Sequence, residues 1–453
     1  MVGLGRLGPH SKLIDVMLRG RRVTRSSRRC AAAIGCVVLF GAATLGFSAA
    51  TEDWQPAVPT YTREVAPILY KECTDCHRPG EIGPMSFLTY RDTRPWARAI
   101  RARVLDRSMP PWFADPRYGT FSNERRLTQK QIDTIVAWVD GDAPEGDAAH
   151  LPAAPVYADG WRIGTPDAMF TIPQEVVIPA QGPFDYQYFR VPTNFTEDMW
   201  VQAAEIRPSS REHVHHVVVT HSGPGPATKP PGVQMPGGQD AEEEAGRRGQ
   251  ELALFAARTD PQVFPLGAAQ KIKAGSTLLF QIHYTPTGAP SRDRTTVGLV
   301  FAKERPGFEI HSLALMDLGF TIPPGAPNHR VDAEAVFTAP ARIWSLGPHA
   351  HFRGKRFDYR LVYPDGRSEI VLSVPNYDFN WQIPYRYAEP LPIPAGTRLI
   401  ATAHYDNSRA NKLNPDPTAT VRVGEQTTDE MMLTYVAYSL EQGPPPPPRP
   451  PHN

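Results

Sequence analysis

Cys73-Thr74-Asp75-Cys76-His77 spells Cys-x-x-Cys-His, a spacing at which two thiols can add to the two vinyl groups of a haem while His77 coordinates its iron. No further cysteine pair exists to complete a zinc site instead, because the other two cysteines, Cys30 and Cys36, sit in an N-terminal apolar run. The sixth iron ligand is assigned to Met109, in Arg107-Ser108-Met109-Pro110-Pro111-Trp112, with Met85 as its competitor. A thioether there would raise the potential relative to bis-histidine ligation. A second chemistry is written in the histidines. His213-Val214-His215-His216 is dense, and His349-Ala350-His351 puts two imidazoles on one face of a strand. Such pairs chelate metals, and imidazole with an optional thioether suits copper better than calcium or magnesium. Within 213–216 two choices stay open. His213 and His215 share a face of a regular strand, whereas adjacent His215 and His216 converge only at a strand end or bulge.

These groups need elements to hold them. Val65, Ile68 and Leu69 form an apolar helical face just before the cysteines, and Trp96, Ile100 and Val104 form another. Thr128-Gln129-Lys130-Gln131 reads as a capping box ahead of Ile132, Ile135, Val136 and Val139. Three short helices around a haem make a small all-α cytochrome c-like domain, placed at residues 51–146 and followed by a linker at 147–160. From Trp161 the pattern changes to short runs rich in Val, Ile, Thr, Phe and Tyr, punctuated by Pro and Gly, which predicts β-sandwiches. An internal echo supports two of them. Ile272-Lys273-Ala274-Gly275 leads to His283-Tyr284, and Ile393-Pro394-Ala395-Gly396 leads to His404-Tyr405. The expected architecture is therefore multidomain: the helical domain, then jelly-roll-like sandwiches at 161–304 and 305–441, then a proline-rich tail at 442–453. The stretch Ser222 to Gln250 is read as an insertion rather than a lid.

The chain has 453 residues, 49 of them proline and 35 glycine, which disfavours a helix bundle or coiled coil. Residues 1–29 hold eight basic groups and one acid, and an uncharged apolar run follows to residue 50. That order is a secretory signal or, if uncleaved, a membrane anchor through residues 30–50, and it places the body in the periplasm or otherwise outside the cytoplasm. The remaining chain carries 40 basic and 46 acidic groups, without a basic stripe for nucleic acid.

Taken together, Val214-His215-His216-Val217, Gln281-Ile282-His283-Tyr284, Pro348-His349-Ala350-His351 and Thr428-Asp429-Glu430-Met431 resemble, in this order, motifs of the copper type II, ascorbate-dependent monooxygenases. The resemblance extends over roughly 161–441, and members with a cytochrome c domain fused in front would also cover 60–146. It implies two copper ions, an electron-supplying one on His215, His216 and His283 and an oxygen-binding one on His349, His351 and Met431. His404, the repeat equivalent of His283, is a rival ligand to Met431, read instead as a residue that supports the ligands from behind or simply packs. The run Tyr405-Asp406-Asn407-Ser408 before Asn414-Pro415-Asp416-Pro417 adds family likeness without known chemistry. The implied reaction is hydroxylation of a C–H bond of a small molecule by O2, with electrons from an ascorbate-like reductant or, through the c-type haem, from a periplasmic donor. Two departures bear on substrate: Gly347-Pro348 stands where the peptide-amidating branch has an arginine, and Leu433 replaces a polar residue, whereas Tyr435 keeps register with a tyrosine of that branch. A glycine-extended peptide is thus disfavoured. The competing reading is a non-catalytic electron-transfer or copper-binding protein.

Overall fold

In the computed structural model, residues 58–441 are described, apart from 82, 158–159, 183, 227–228, 236–248 and 257–258. The expected export segment at 1–50 and the proline tail at 442–453 lie outside the described residues.

The helices come first. Ala66–Glu72 runs into Cys73 as its C-cap, Ala97–Leu105 buries Ala97, Ile100 and Val104, and Gln129–Asp140 buries Ile132, Ile135 and Trp138. The capping box at Thr128 is formed in both directions, its hydroxyl accepting from Gln131 N and the Gln131 side chain accepting from Thr128 N. These faces meet in one cluster around Tyr61, Leu69, Ile100, Ile135 and Trp138. Trp96, expected on that face, instead lies in the short turn Arg94–Trp96 and is exposed. The tryptophan buried in this cluster is Trp138, which lies between the predicted apolar positions Val136 and Val139.

Among the described residues after 167, strands and their connections make up the chain, apart from a 3-10 turn at Arg211–His213. Alternation along Thr277–Tyr284 sends Leu278, Phe280, Ile282 and Tyr284 inward and leaves Gln281 and His283 on the other face. That strand lies between Gln187–Pro192 and Val214–Ser222, with Gln250–Ala256 at the edge, in a four-stranded sheet. Its inner face packs on Val201, Ala204, Ile206, Val297 and Leu299 of the opposing sheet. The second half repeats the plan: Thr397–Tyr405 lies between His329–Phe337 and Gly354–Val362, and their inner face meets Leu313, Ile343, Leu346 and Val436. Two sandwiches result.

They share a sheet. Ala268–Ile272 of the first half pairs in parallel with Phe308–Asp317 of the second, Ala268 opposite Phe308 and Gln270 opposite Ile310, so nine strands run through both halves. A second tie comes from the stretch read as an insertion. Val233–Gln234 adds an edge strand to Val336–Phe337, Thr338 N donates to Gly232 O, and Tyr438 Oη donates to Pro231 O at 2.7 Å. Gly232 has φ +67° and lies so close to Leu440 that a Cβ would come within 2.6 Å of its Cδ2. Residues 231–235 are thus a strap between the halves. The segment between the helices Ala97–Leu105 and Gln129–Asp140 is tied to the second sandwich: Trp112, Ala114 and Phe121 are buried in its core, Asp115 N donates to Ser373 O, and Phe121 bridges to Tyr387.

Candidate metal centres

The strand Val214–Ser222 starts directly after the turn Arg211–His213, and its first residues break the alternation. His216 stands opposite His283, but Tyr284 stands opposite Val214, which leaves His215 as the extra residue of a β-bulge. Val214 and Val217 both face the core, and the two imidazoles between them both face out. The bulge therefore selects adjacent His215 and His216. His213 is used elsewhere, its Nδ1 within 2.9 Å of Ser210 Oγ and its Nε2 within 2.7 Å of Thr287 Oγ1. One ring nitrogen from each of His215, His216 and His283 falls within 4.8 Å of the others. The Nε2 of His215 and Nδ1 of His283 are buried with no hydrogen-bond partner. Burial, reinforced by the neighbouring imidazoles, pushes His215 down to about 4 and His283 down to about 3, and holds His216 well below its ordinary value. Three neutral imidazoles with bare lone pairs are a donor set that copper accepts.

The second half presents His349 at the end of the strand Ala341–His349 and His351 just beyond it. Each ring is oriented from behind. His349 Nδ1 lies 2.7 Å from Gln382 Oε1 and His351 Nδ1 lies 3.3 Å from the carbonyl of Asp429. Both acceptors lack protons, so each Nδ1 carries the hydrogen and each Nε2 keeps its lone pair. The Nε2 of His351 is buried and without a partner, and burial holds that ring down at about 3. Met431 is buried and lines the same cavity as His349, together with Tyr186, Gly347, Pro348, Leu433 and Tyr435. His349 and Met431 line this cavity, and the His351 ring lies 5.3 Å from that of His349; two imidazoles and a thioether are donor types that suit copper.

Glu430 and Asn407 were not assigned a role from sequence. The buried Glu430 carboxylate accepts from the backbone N–H of His351 (2.8 Å), Arg353 (2.6 Å) and Met431 (3.2 Å), which ties the histidine segment to the methionine segment. Arg353, itself buried, donates to Asn407 Oδ1 and Thr428 O, while Asn407 Nδ2 donates to Pro323 O and Ala419 O. The run at 405–417 is thus a buttress for the methionine loop. His404 lies apart from this cluster: its strand alternates, Tyr405 faces the core, and His404 faces outward between Arg330 and Arg356 on the flanking strands.

At the helical end, Cys76 N and His77 N both turn back toward Cys73 O at 3.2 and 3.0 Å. That single turn gathers two thiols and an imidazole, the donors a c-type haem requires. His77 stacks on Phe87 at 4.4 Å, and Gly83 lies so close that a Cβ would meet His77 Nδ1 at 2.6 Å. Met109 leaves the helix Ala97–Leu105 with its N donating to Arg103 O, whereas Met85 packs against the helical core. The loop is anchored to the first sandwich. Arg125 bridges Asp75 (3.0 Å) and Asp260 (2.6 Å), Arg211 meets Glu81 (3.3 Å), and Cys76 and Val214 line one small cavity. The expected linker takes part, because Tyr157 Oη donates to Thr74 Oγ1 and its ring lies 3.8 Å from the Arg78 guanidinium.

Residues 329–446 match the family model of the copper type II ascorbate-dependent monooxygenase C-terminal domain, a span that contains His349, His351 and Met431. No curated protein matches the chain. Among solved structures, PBCV-1 VP54 fitted into a reconstruction of the virophage Sputnik is similar at 11% identity, covering 62% of this chain and 95% of that one with a TM-score of 0.21. The mavirus major capsid protein is similar at 10% identity, covering 65% and 92% with a TM-score of 0.18. Likeness at that level has no bearing on function.

Proposed function

We propose that this chain, whose C-terminal domain is that of a copper-dependent monooxygenase, hydroxylates a C–H bond of a small organic molecule with O2. His349, His351 and Met431 would hold the oxygen-binding copper, and His215, His216 and His283 the copper that supplies it with electrons. Copper at these positions supplies one-electron chemistry and O2 binding. The protein's own contribution is orientation and exclusion. Gln382 and the Asp429 carbonyl fix the two tautomers, and burial keeps the rings of His215, His216, His283 and His351 neutral at physiological pH. The observation that carries this reading is the convergence of five imidazoles, drawn from both sandwiches, with unpartnered ring nitrogens at His215, His283 and His351.

The substrate would enter the cavity shared by His349 and Met431. Gly347, Pro348 and Leu433 line it in place of groups that would bind a peptide carboxylate, which supports a small molecule rather than a glycine-extended peptide. A c-type haem on Cys73, Cys76 and His77, with Met109 as its other ligand, would deliver electrons from a donor outside the cytoplasm, alongside or instead of an ascorbate-like reductant. The small cavity lined by both Cys76 and Val214, the residue before His215, supports that route.

Metal analysis of the mature protein and of Met431→Ala tests the assignment. Two coppers and one haem per chain, with substrate-dependent oxygen uptake lost in the variant, are expected. Stoichiometric copper without such uptake across a broad panel of small molecules would favour a carrier.

A further inference from the structure

We infer that the cavity beside His349 and Met431 selects an elongated, uncharged substrate with a hydroxyl group at its far end, received there by Gln270 and Glu251. The inference rests on the monooxygenase reading above and deepens it by naming the class of substrate.

Two oxygens at one end of this cavity have nothing to accept. Gln270 is only 1% exposed, and its Nε2 donates to the backbone carbonyl of Glu251 at 3.0 Å. That bond fixes the amide, because the flipped form would set oxygen against oxygen. It leaves Gln270 Oε1 enclosed without a partner, and Glu251 Oε2 is enclosed and unpartnered in the same way. Both side chains line the cavity that His349 and Met431 also line. A buried acceptor left unsatisfied is costly, so the cavity gains most from a guest that brings a donor to this end.

Strand registers show how far that end lies from the histidine. Gln270 stands opposite Ile310 in the parallel pair, and Ser312 N donates to Gln250 Oε1, next to Glu251. Ser312 stands opposite Ala437, which stands opposite Ser345. His349 stands opposite Leu433 further along the same strand. From Ser345 to His349 a strand advances about 13 Å. Val218, Leu254, Phe264, Ile310 and Ala437 supply apolar lining. The space therefore suits a narrow apolar body with its polar group at the end away from His349.

Charge decides which polar group. Besides Glu251, no aspartate, glutamate, lysine or arginine among the described residues lines the cavity. Glu251 is faced by Arg386, which shares a cluster with Arg125, Arg162, Asp75 and Asp260. Three guanidiniums thus already face three carboxylates. An ammonium would add an uncompensated buried charge, and a carboxylate would bring acceptors to acceptors. A hydroxyl does neither. It donates to one oxygen and accepts from the Glu251 carboxyl whenever that group holds its proton, which burial favours.

Titration calorimetry of the copper-loaded protein with 1-hexanol, hexylamine and hexanoate tests this near neutral pH. 1-Hexanol is expected to bind, and Gln270→Leu and Glu251→Leu, each removing an acceptor, are expected to weaken it about tenfold. Any affinity for hexylamine, through copper coordination included, or for hexanoate is expected not to respond to either substitution. Should Glu251→Leu not fold, Gln270→Leu carries the test alone. No binding of 1-hexanol, or an affinity unchanged by Gln270→Leu, would overturn the inference by showing that solvent satisfies this end. An equal response from hexylamine would overturn the uncharged class. Copper counted on the same samples separates the two readings. Two coppers per chain without the hydroxyl preference overturn this inference alone. Fewer than two, with 1-hexanol binding still dependent on Gln270, overturn the metal assignment and leave the preference of the cavity standing.

Discussion

The carboxylate of Glu430 has no solvent contact and receives three backbone N–H groups, from His351, Arg353 and Met431. It touches no reacting atom, so its effect on chemistry is transmitted through the position of the ligands. In Glu430→Gln one oxygen becomes an NH2 facing a backbone donor, which costs about 2 kcal/mol of stability. The larger effect is expected on metal: a roughly 10–100-fold weaker hold on the copper proposed at His349, His351 and Met431, with the copper proposed at His215, His216 and His283 retained. Copper counted after dialysis against a weak chelator should fall from two per chain to one. The candidate ligand types were legible in the sequence because imidazole and thioether advertise their chemistry. What supports them was not, because a glutamate or asparagine that clamps backbone looks like any polar residue until the fold encloses it. The choice between His213 and His216 was also closed to sequence, since one extra residue in a strand reverses which side chains share a face.

Elements rather than residues decide why equivalent positions diverge. The strands Thr277–Tyr284 and Thr397–Tyr405 are each central in a sheet and each bury their final tyrosine, as the internal repeat implied. Yet His283 meets the bulged strand with His215 and His216, whereas His404 meets two arginines. The repeat foretold the framework, and the neighbours fixed the role. The same holds for the segment around residue 125, which sequence grouped with the helices but which fastens the Cys73–His77 loop to the first sandwich through Asp75 and Asp260. In Arg125→Met both half-buried carboxylates lose this partner, although Arg162 still reaches Asp260. A loss of about 1–3 kcal/mol is expected, between the values for exposed and buried pairs. Thermal unfolding should show a lower midpoint for the variant at low salt. The gap should narrow in about 1 M salt, where charges are screened within about 3 Å. A gap independent of salt would mean that the guanidinium acts through packing alone.

At the scale of the molecule, the cavity beside His349 and Met431 is built from both halves, and its polar lining includes a group that couples folding to pH. Glu251 lines it with Oε2 enclosed and without a hydrogen-bond partner, and burial pushes its carboxyl up to about 7 despite the nearby Arg386. Below pH 4.5 the acid is protonated in both folded and unfolded chains and makes no difference. Between about 4.5 and 7 the folded chain keeps the proton that the unfolded chain has released, so stability falls as pH rises, and above 7 the loss is complete. The full span corresponds to at most about 3 kcal/mol. Glu251→Gln cannot ionise, so its stability is expected to exceed that of the unaltered protein at pH 8, and the two should converge near pH 4.5. Denaturant unfolding at a series of pH values measures this difference directly, and other titrating groups cancel between the two proteins. A difference that does not change with pH would show that Glu251 stays ionised in the folded chain, held by Arg386 across the shared cavity.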